Sequence, residues 1–143
     1  MELWELVARE RVRDTLARYT WSGDGGNLDE LVKTFAKNGE LEIRGEQPLR
    51  GRKAIKARLG KVAAAPPAPG ATRIVRHNLA NVRFIEVRRK RIRVSSYFTV
   101  FTEIGLDHFG RYRDLLVPVG DHWLIAHRFV STDWAAPNST MVG

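Results

Sequence analysis

From Arg73 to Trp134 the sequence is almost unbroken strand. RIVRHNLANVRFIEV, IRVSSYFTVFTEI, HFGRYRDLLVPV and HWLIAHRFVSTDW follow in succession, each rich in β-branched and aromatic residues. The connections RRKR, GLD and GD are short enough for hairpins, so the four segments predict an antiparallel meander. Strands of this length exceed the usual ~5–6 residues and must twist and curl around whatever fills their concave side. A curved sheet needs a cover, and the first half of the chain has to supply it.

That half reads as helix. Leu3, Leu6, Val7, Val12, Leu16 and the aromatics Trp4 and Tyr19 recur at helical spacing and predict a helix over 3–21. The run Gly23-Asp24-Gly25-Gly26-Asn27 breaks it, and Asn27 caps a second helix, LDELVKTFAK. A short strand follows over Glu40–Arg44, then a third helix near Arg52–Leu59. Residues 60–72, GKVAAAPPAPGAT, carry too many prolines and small residues for a regular element. Helices first and a long sheet after predict an α+β fold, a cone-shaped curved antiparallel sheet with about three N-terminal helices enclosing a pocket. At 143 residues the chain fits one domain, here 1–134, with 135–143 as a C-terminal tail.

Composition narrows the chemistry. With 43% hydrophobic and 28% charged residues the chain is globular, and without cysteine it has no thiolate nucleophile, disulfide or Cys-based metal site. No leader pattern or long apolar run appears, which predicts a cytoplasmic protein with no membrane partner. The formal charge of +8 is concentrated. Residues 73–143 hold 11 basic against 6 acidic groups, and the stretch Arg83–Arg93 alone accounts for that excess. A solvated RRKR hairpin turn explains it more simply than a nucleic-acid partner.

Polar side chains in strand context mark the candidate chemistry. His77 lies in the first long strand, and a half-buried imidazole there is a suitable general base; the alternative is a hydrogen-bonded core histidine. Asp24 sits among glycines that let its carboxylate turn into a pocket mouth, or else it caps a turn. Arg128 is flanked by apolar residues and needs a carboxylate partner or a ligand oxyanion. A two-residue Gly120-Asp121 turn places Asp114 opposite His127, whereas a three-residue loop places it opposite Arg128. The rings of Tyr19, Trp21, Phe98 and Tyr112 belong to core or rim, and a pocket lined by them suits a hydrophobic polycyclic ligand. His108, His122 and His127 lack metal-ligand spacing, so no metal is expected, and GDGGN is neither a P-loop nor a dinucleotide fingerprint.

The order RDTLARYTWSGDGGNLDELVKTFAKNGELEI, PLRGRKAIKARL, RHNLANV and GRYRDLLVPVGDHWLIAHRFVSTDW resembles the nuclear transport factor two-like cone fold in its SnoaL-like branch, over about residues 5–134. Within that branch it looks most like the scytalone dehydratase, bile-acid 7α-dehydratase and hexachlorocyclohexane dehydrochlorinase group. The resemblance puts Asp24 and His77 at the group's Asp–His pair, Tyr19 at a dehydratase tyrosine, and Arg128 at an arginine of the last strand. It implies a cofactor-independent lyase that uses His77 as base, oriented by Asp24, with Tyr19 or Arg128 stabilising the developing oxyanion. The substrate implied is a small hydrophobic cyclic molecule with a carbonyl, such as a steroid or polyketide, against Trp21, Phe98 and Tyr112. An isomerase using the same pair and a non-catalytic ligand-binding module are the alternatives. The resemblance also implies a homodimer or homotrimer.

Overall fold

The structure is a computed structural model that describes residues 1–142. Its elements are α1 (Leu3–Asp24), α2 (Leu28–Val32), β1 (Phe35–Ile43), β2 (Leu49–Arg50), α3 (Arg52–Ala63), β3 (Val75–Arg88), β4 (Arg91–Thr102), β5 (Gly105–Val119) and β6 (His122–Ala135). One six-stranded sheet runs in the order β2-β1-β6-β5-β4-β3, curved and unclosed, with β3 at one edge. The four long strands form the expected antiparallel meander. The short strand adds something the pattern did not announce, because β1 lies parallel to β6 and makes the sheet mixed.

Helix α1 packs one stripe onto the sheet. Ala8, Val12, Leu16 and Tyr19 are buried there with Phe35, Ile125 and Trp123, while Leu3, Leu6 and Val7 are exposed. The first turns therefore project past the sheet, and the core stripe begins a turn later than the apolar spacing predicts. Thr15 Oγ1 donates to the Trp123 carbonyl at 2.5 Å and ties helix to β6.

The second helix is shorter than predicted. It stops at Val32, Lys33 and Thr34 turn, and Phe35 to Ile43 is strand, so FAK and Asn38-Gly39 leave helix and turn for β1. Tertiary pairing overrides local propensity here. The Ile125 N–H donates to the Thr34 carbonyl at 2.8 Å, and Phe35 and Leu41 enter the core. Gly39 is required because a Cβ there would stand 2.7 Å from the Ile125 carbonyl oxygen.

Five bulges shape the long strands, two of them between β3 and β4, at Ala80–Arg83 and Phe84–Glu86. Near the β5–β6 turn the pairing is that of a two-residue connection, Val119 with His122 and Leu116 with Ile125. Beyond it Leu115 faces His127 and Asp114 faces Arg128, so Ala126 is the extra residue and both registers hold in succession. Another bulge is Asp107, since Val100 faces His108 while Phe101 faces Leu106. It turns Asp107 and His108, adjacent in sequence, to the buried side together. The last, at Asp133, lies beside Gly110, where an added Cβ would collide with the Ser131 carbonyl and sit 2.8 Å from Thr132 Cα.

Asp107 anchors the chain end. Its Oδ1 accepts from Ser139 Oγ at 2.7 Å and meets His108 Nδ1 at 2.6 Å, and its Oδ2 accepts from Thr102 Oγ1 at 2.9 Å. Thr140 meets Arg73, and Met141 packs on the Phe98–Tyr112 pair. Burial works to raise the Asp107 carboxyl, but the bonds from Ser139, His108 and Thr102 outweigh it and hold the group below the ordinary range. Burial lowers His108, against the pull of Asp107.

The RRKR segment is the β3–β4 hairpin turn. Arg91 and Arg88 pair with Glu86 at 2.7 and 3.4 Å, and Arg89 stacks on Trp4. No helix among the described residues is long and apolar enough to cross a membrane.

Two glycines give opposite outcomes. Gly110→Ala is expected to lose about 2–3 kcal/mol in urea unfolding, as overpacking against backbone allows no relief. Gly60→Ala, in mid-α3 with its new Cβ at 3.7 Å from Leu28, is expected to gain about 0.5–1 kcal/mol. The Asp107–His108 pair sets an acid limit. The folded state binds protons on both groups less readily than the unfolded chain, so stability must fall as pH drops, first below about 6.5 for His108 and then below about 4 for Asp107. Thermal melts from pH 8 to 3 check this, and His108→Gln should remove the first fall and, because His108 helps to hold Asp107 down, lessen the second.

Candidate active site

Asp24 is the last residue of α1, not part of the break that follows it. Gly25 and Gly26 end the helix, Gly26 at φ 71°, and Asn27 caps α2 by accepting the Glu30 amide at 3.2 Å. The carboxylate is thus held by a rigid element. It reaches β3, where Oδ2 accepts the His77 backbone N–H at 2.8 Å and Oδ1 meets His77 Nδ1 at 2.5 Å. An ionised carboxylate can only accept, so Nδ1 carries the hydrogen and Nε2 is the basic nitrogen. Nε2 has no hydrogen-bond partner among the described residues. The two side chains are only 21% and 12% exposed, which keeps their contact from being screened by water.

His77 lines an interior cavity of about 100 Å³ with Tyr19, Leu31, Leu59, Val62 and Met141. Besides the two polar rings, Thr20 and Arg73 line it, and the rest of its wall is apolar. Burial raises the Tyr19 phenol, against the lowering effect of the Arg128 charge, so the hydroxyl remains a neutral donor. Tyr19 and His77 are therefore a donor and a base in one small chamber.

Arg128 does not face that chamber. Its Nε and Nη2 grip Asp114 at 2.8 and 2.9 Å, and its guanidinium lies 4.2 Å from the Tyr19 ring and 3.8 Å from the Tyr112 ring. At 1% exposure it is the largest fully buried side chain. Arg128, expected to meet a substrate oxyanion, is tied to Asp114 through two nitrogens, and its third, Nη1, is buried without a hydrogen-bond partner among the described residues. Phe98 and Tyr112, expected against a substrate, lie in a buried cluster of the sheet. They stack on each other at 4.5 Å, buried at 3% and 4% exposure, because Arg128 and Met141 occupy their open sides.

Trp21 is 81% exposed. It lines an open groove of about 320 Å³ between α1 and β3, on whose floor His77 also stands. His77 is thus shared by an inner chamber and an outer groove. A hollow of about 660 Å³ lies on the outer sheet face around Ser95, Tyr97 and Arg113, and no histidine or carboxylate lines it.

Sequence reasoning passed over His108 except as a metal ligand. His77 and His108 both pair with Val100, which puts all three on one sheet face. A second imidazole with its own carboxylate thus stands two strands from the first. Its signal was an Asp-His step where alternation fails, and only the bulge gives that step meaning. Among the described residues no group of three or more His, Asp or Glu side chains converges to hold a metal ion.

The same architecture recurs in solved structures. A scytalone dehydratase-like protein from Novosphingobium aromaticivorans aligns at 19% identity over 96% of this chain and 95% of its own, with a TM-score of 0.76. ActVI-ORFA from Streptomyces coelicolor aligns at 21% over 87% and 96%, TM-score 0.73. A Catenulispora acidiphila protein, whose structure is a complex with S-DNPA, aligns at 25% over 87% and 92%, TM-score 0.75. No curated protein matches. Residues 4–129 match the SnoaL-like domain, and the chain belongs to that family.

Proposed function

We propose that the protein is a cofactor-independent lyase that eliminates water from a hydrophobic cyclic carbonyl compound, such as a steroid or polyketide. Membership of the SnoaL-like family and likeness to a scytalone dehydratase-like fold fit chemistry of the dehydratase or isomerase type. The observation that carries the reading is the doubly held Asp24–His77 pair, which leaves one imidazole nitrogen without a partner beside a largely apolar chamber. His77 Nε2 takes the proton from the carbon next to the carbonyl, and the C–H electron pair moves to the carbonyl oxygen. Tyr19 donates a hydrogen bond to that oxygen, and Arg128 behind its ring favours the developing charge. The enolate then collapses to a double bond, the C–O bond breaks, and the proton on His77 leaves with the hydroxide as water. Asp24 holds the ring and stabilises the imidazolium between the two steps.

Turnover of cyclic β-hydroxy ketones, followed by enone absorbance, tests this. His77→Gln should abolish it, Tyr19→Phe should lower kcat about 10²-fold, and Asp24→Asn should lower it at least as far. Asp24→Asn should also change the His77 nitrogen shifts as the tautomer is released, a readout that a merely structural role of Asp24 elsewhere would not give. Unimpaired turnover by His77→Gln would overturn the assignment. Proton relocation without loss of water would make the protein an isomerase, and binding without turnover a carrier.

We also propose a homo-oligomer through the outer sheet face. Tyr97, Phe101, Phe109 and Trp134 are 51%, 45%, 36% and 42% exposed there, more aromatic surface than a solvated sheet needs. Light scattering should give a dimer or trimer mass, and Trp134→Glu with Tyr97→Glu should reduce it to the monomer; a monomeric wild type would remove the proposal.

A further inference from the structure

The inner chamber, about 100 Å³, holds the reacting end of a molecule but not a polycyclic body, for which sites of roughly 300–1,000 Å³ are usual. The body must lie elsewhere, and the groove between α1 and β3 begins at the same imidazole. Its helix wall carries Arg13, Leu16, Ala17, Thr20 and Trp21, one face at three- and four-residue spacing. The exposed Trp21 indole is a flat apolar surface next to the site, with no aromatic partner among the described residues. At the far end stands Arg13, which forms no ion pair among the described residues. Its guanidinium and that of Arg9 lie 5.2 and 4.9 Å from the Phe84 ring, two cations with no carboxylate between them.

We propose that this groove is the recognition subsite of the His77 site, and that it selects a flat apolar molecule bearing a carboxylate, with Trp21 against the flat body and Arg13 on the carboxylate. The proposal rests on the elimination proposed above and specifies its substrate. The geometry sets a length. From Arg13 to Asp24 is eleven residues of helix at ~1.5 Å each, about 16 Å. From His77 to Val82, along the opposite wall, the strand passes a bulge at Asn81 (φ 52°), so its five residues span somewhat less than the ~16 Å of regular strand. The carboxylate and the reacting carbon should be about that far apart.

The probes are 1-pyrenebutyrate and its neutral counterpart 1-pyrenebutanol, titrated into the intact protein and read by pyrene emission. Wild type should bind the acid about tenfold more tightly than the alcohol, with added salt reducing the difference. Arg13→Gln should remove the preference, and Trp21→Ala should weaken both probes about tenfold. Both residues are exposed, so the fold tolerates these changes. Equal affinity of wild type for acid and alcohol, or wild-type binding by Arg13→Gln and Trp21→Ala, would overturn the subsite even if elimination proceeds. The expected binding pattern without elimination would uphold the subsite and overturn the reaction.

Discussion

The buried ion pair between Arg128 and Asp114 is the constraint around which the sheet and the site are arranged. A guanidinium at 1% exposure is tolerable only because a carboxylate grips two of its nitrogens and two aromatic faces enclose it. Burial opposes the charge, and Asp114 beside it outweighs that effect. The pair joins the middles of β5 and β6, and through Tyr19 it reaches α1. Removing one partner would strand the other charge in the core at a cost of about 3–5 kcal/mol, so helix, sheet register and the tyrosine of the chamber are held by one interaction.

That pair exists because of a bulge. With strict two-residue alternation from the Gly120-Asp121 turn, Asp114 would face His127, and Arg128 would have no partner. Ala126 shifts the register by one. Asp107 does the same for the neighbouring strand edge, turning a carboxylate and an imidazole inward where alternation allows one of them. Bulges also increase local twist, so the residues that bring polar groups to the concave side are the ones that bend the sheet around it.

The large features were legible because they are periodic. Four long strands with hairpin connections announce themselves, as does a helix with buried positions four apart. What failed was local. TFAK favours helix by propensity, yet Phe35 and Leu41 have more to gain from the core than a last helical turn can offer, and pairing with β6 decides the matter. A parallel partner ninety residues away leaves no mark in the segment itself. The site divided along the same line. His77 and Asp24 stood out as polar residues in the wrong company, whereas Arg128 did so too and proved to be spent on Asp114. Residue type and context could not separate the two, since both a ligand and a neighbouring carboxylate satisfy a buried arginine.

Asp24 carries a further argument. A carboxylate in the last turn of a helix meets the negative end of the helix dipole, and every simple rule would place it at the other end. Gly23, just before it, also weakens the helix, and a Cβ there would press on Leu31 at 3.2 Å. The chain keeps both, so the helix continues to a residue that local energetics disfavour. Its return is the pair of bonds to His77, one to the backbone and one to the ring. A structural tie between α1 and β3 needs only the first. The second fixes which imidazole nitrogen is basic, a consequence that the backbone bond alone does not have.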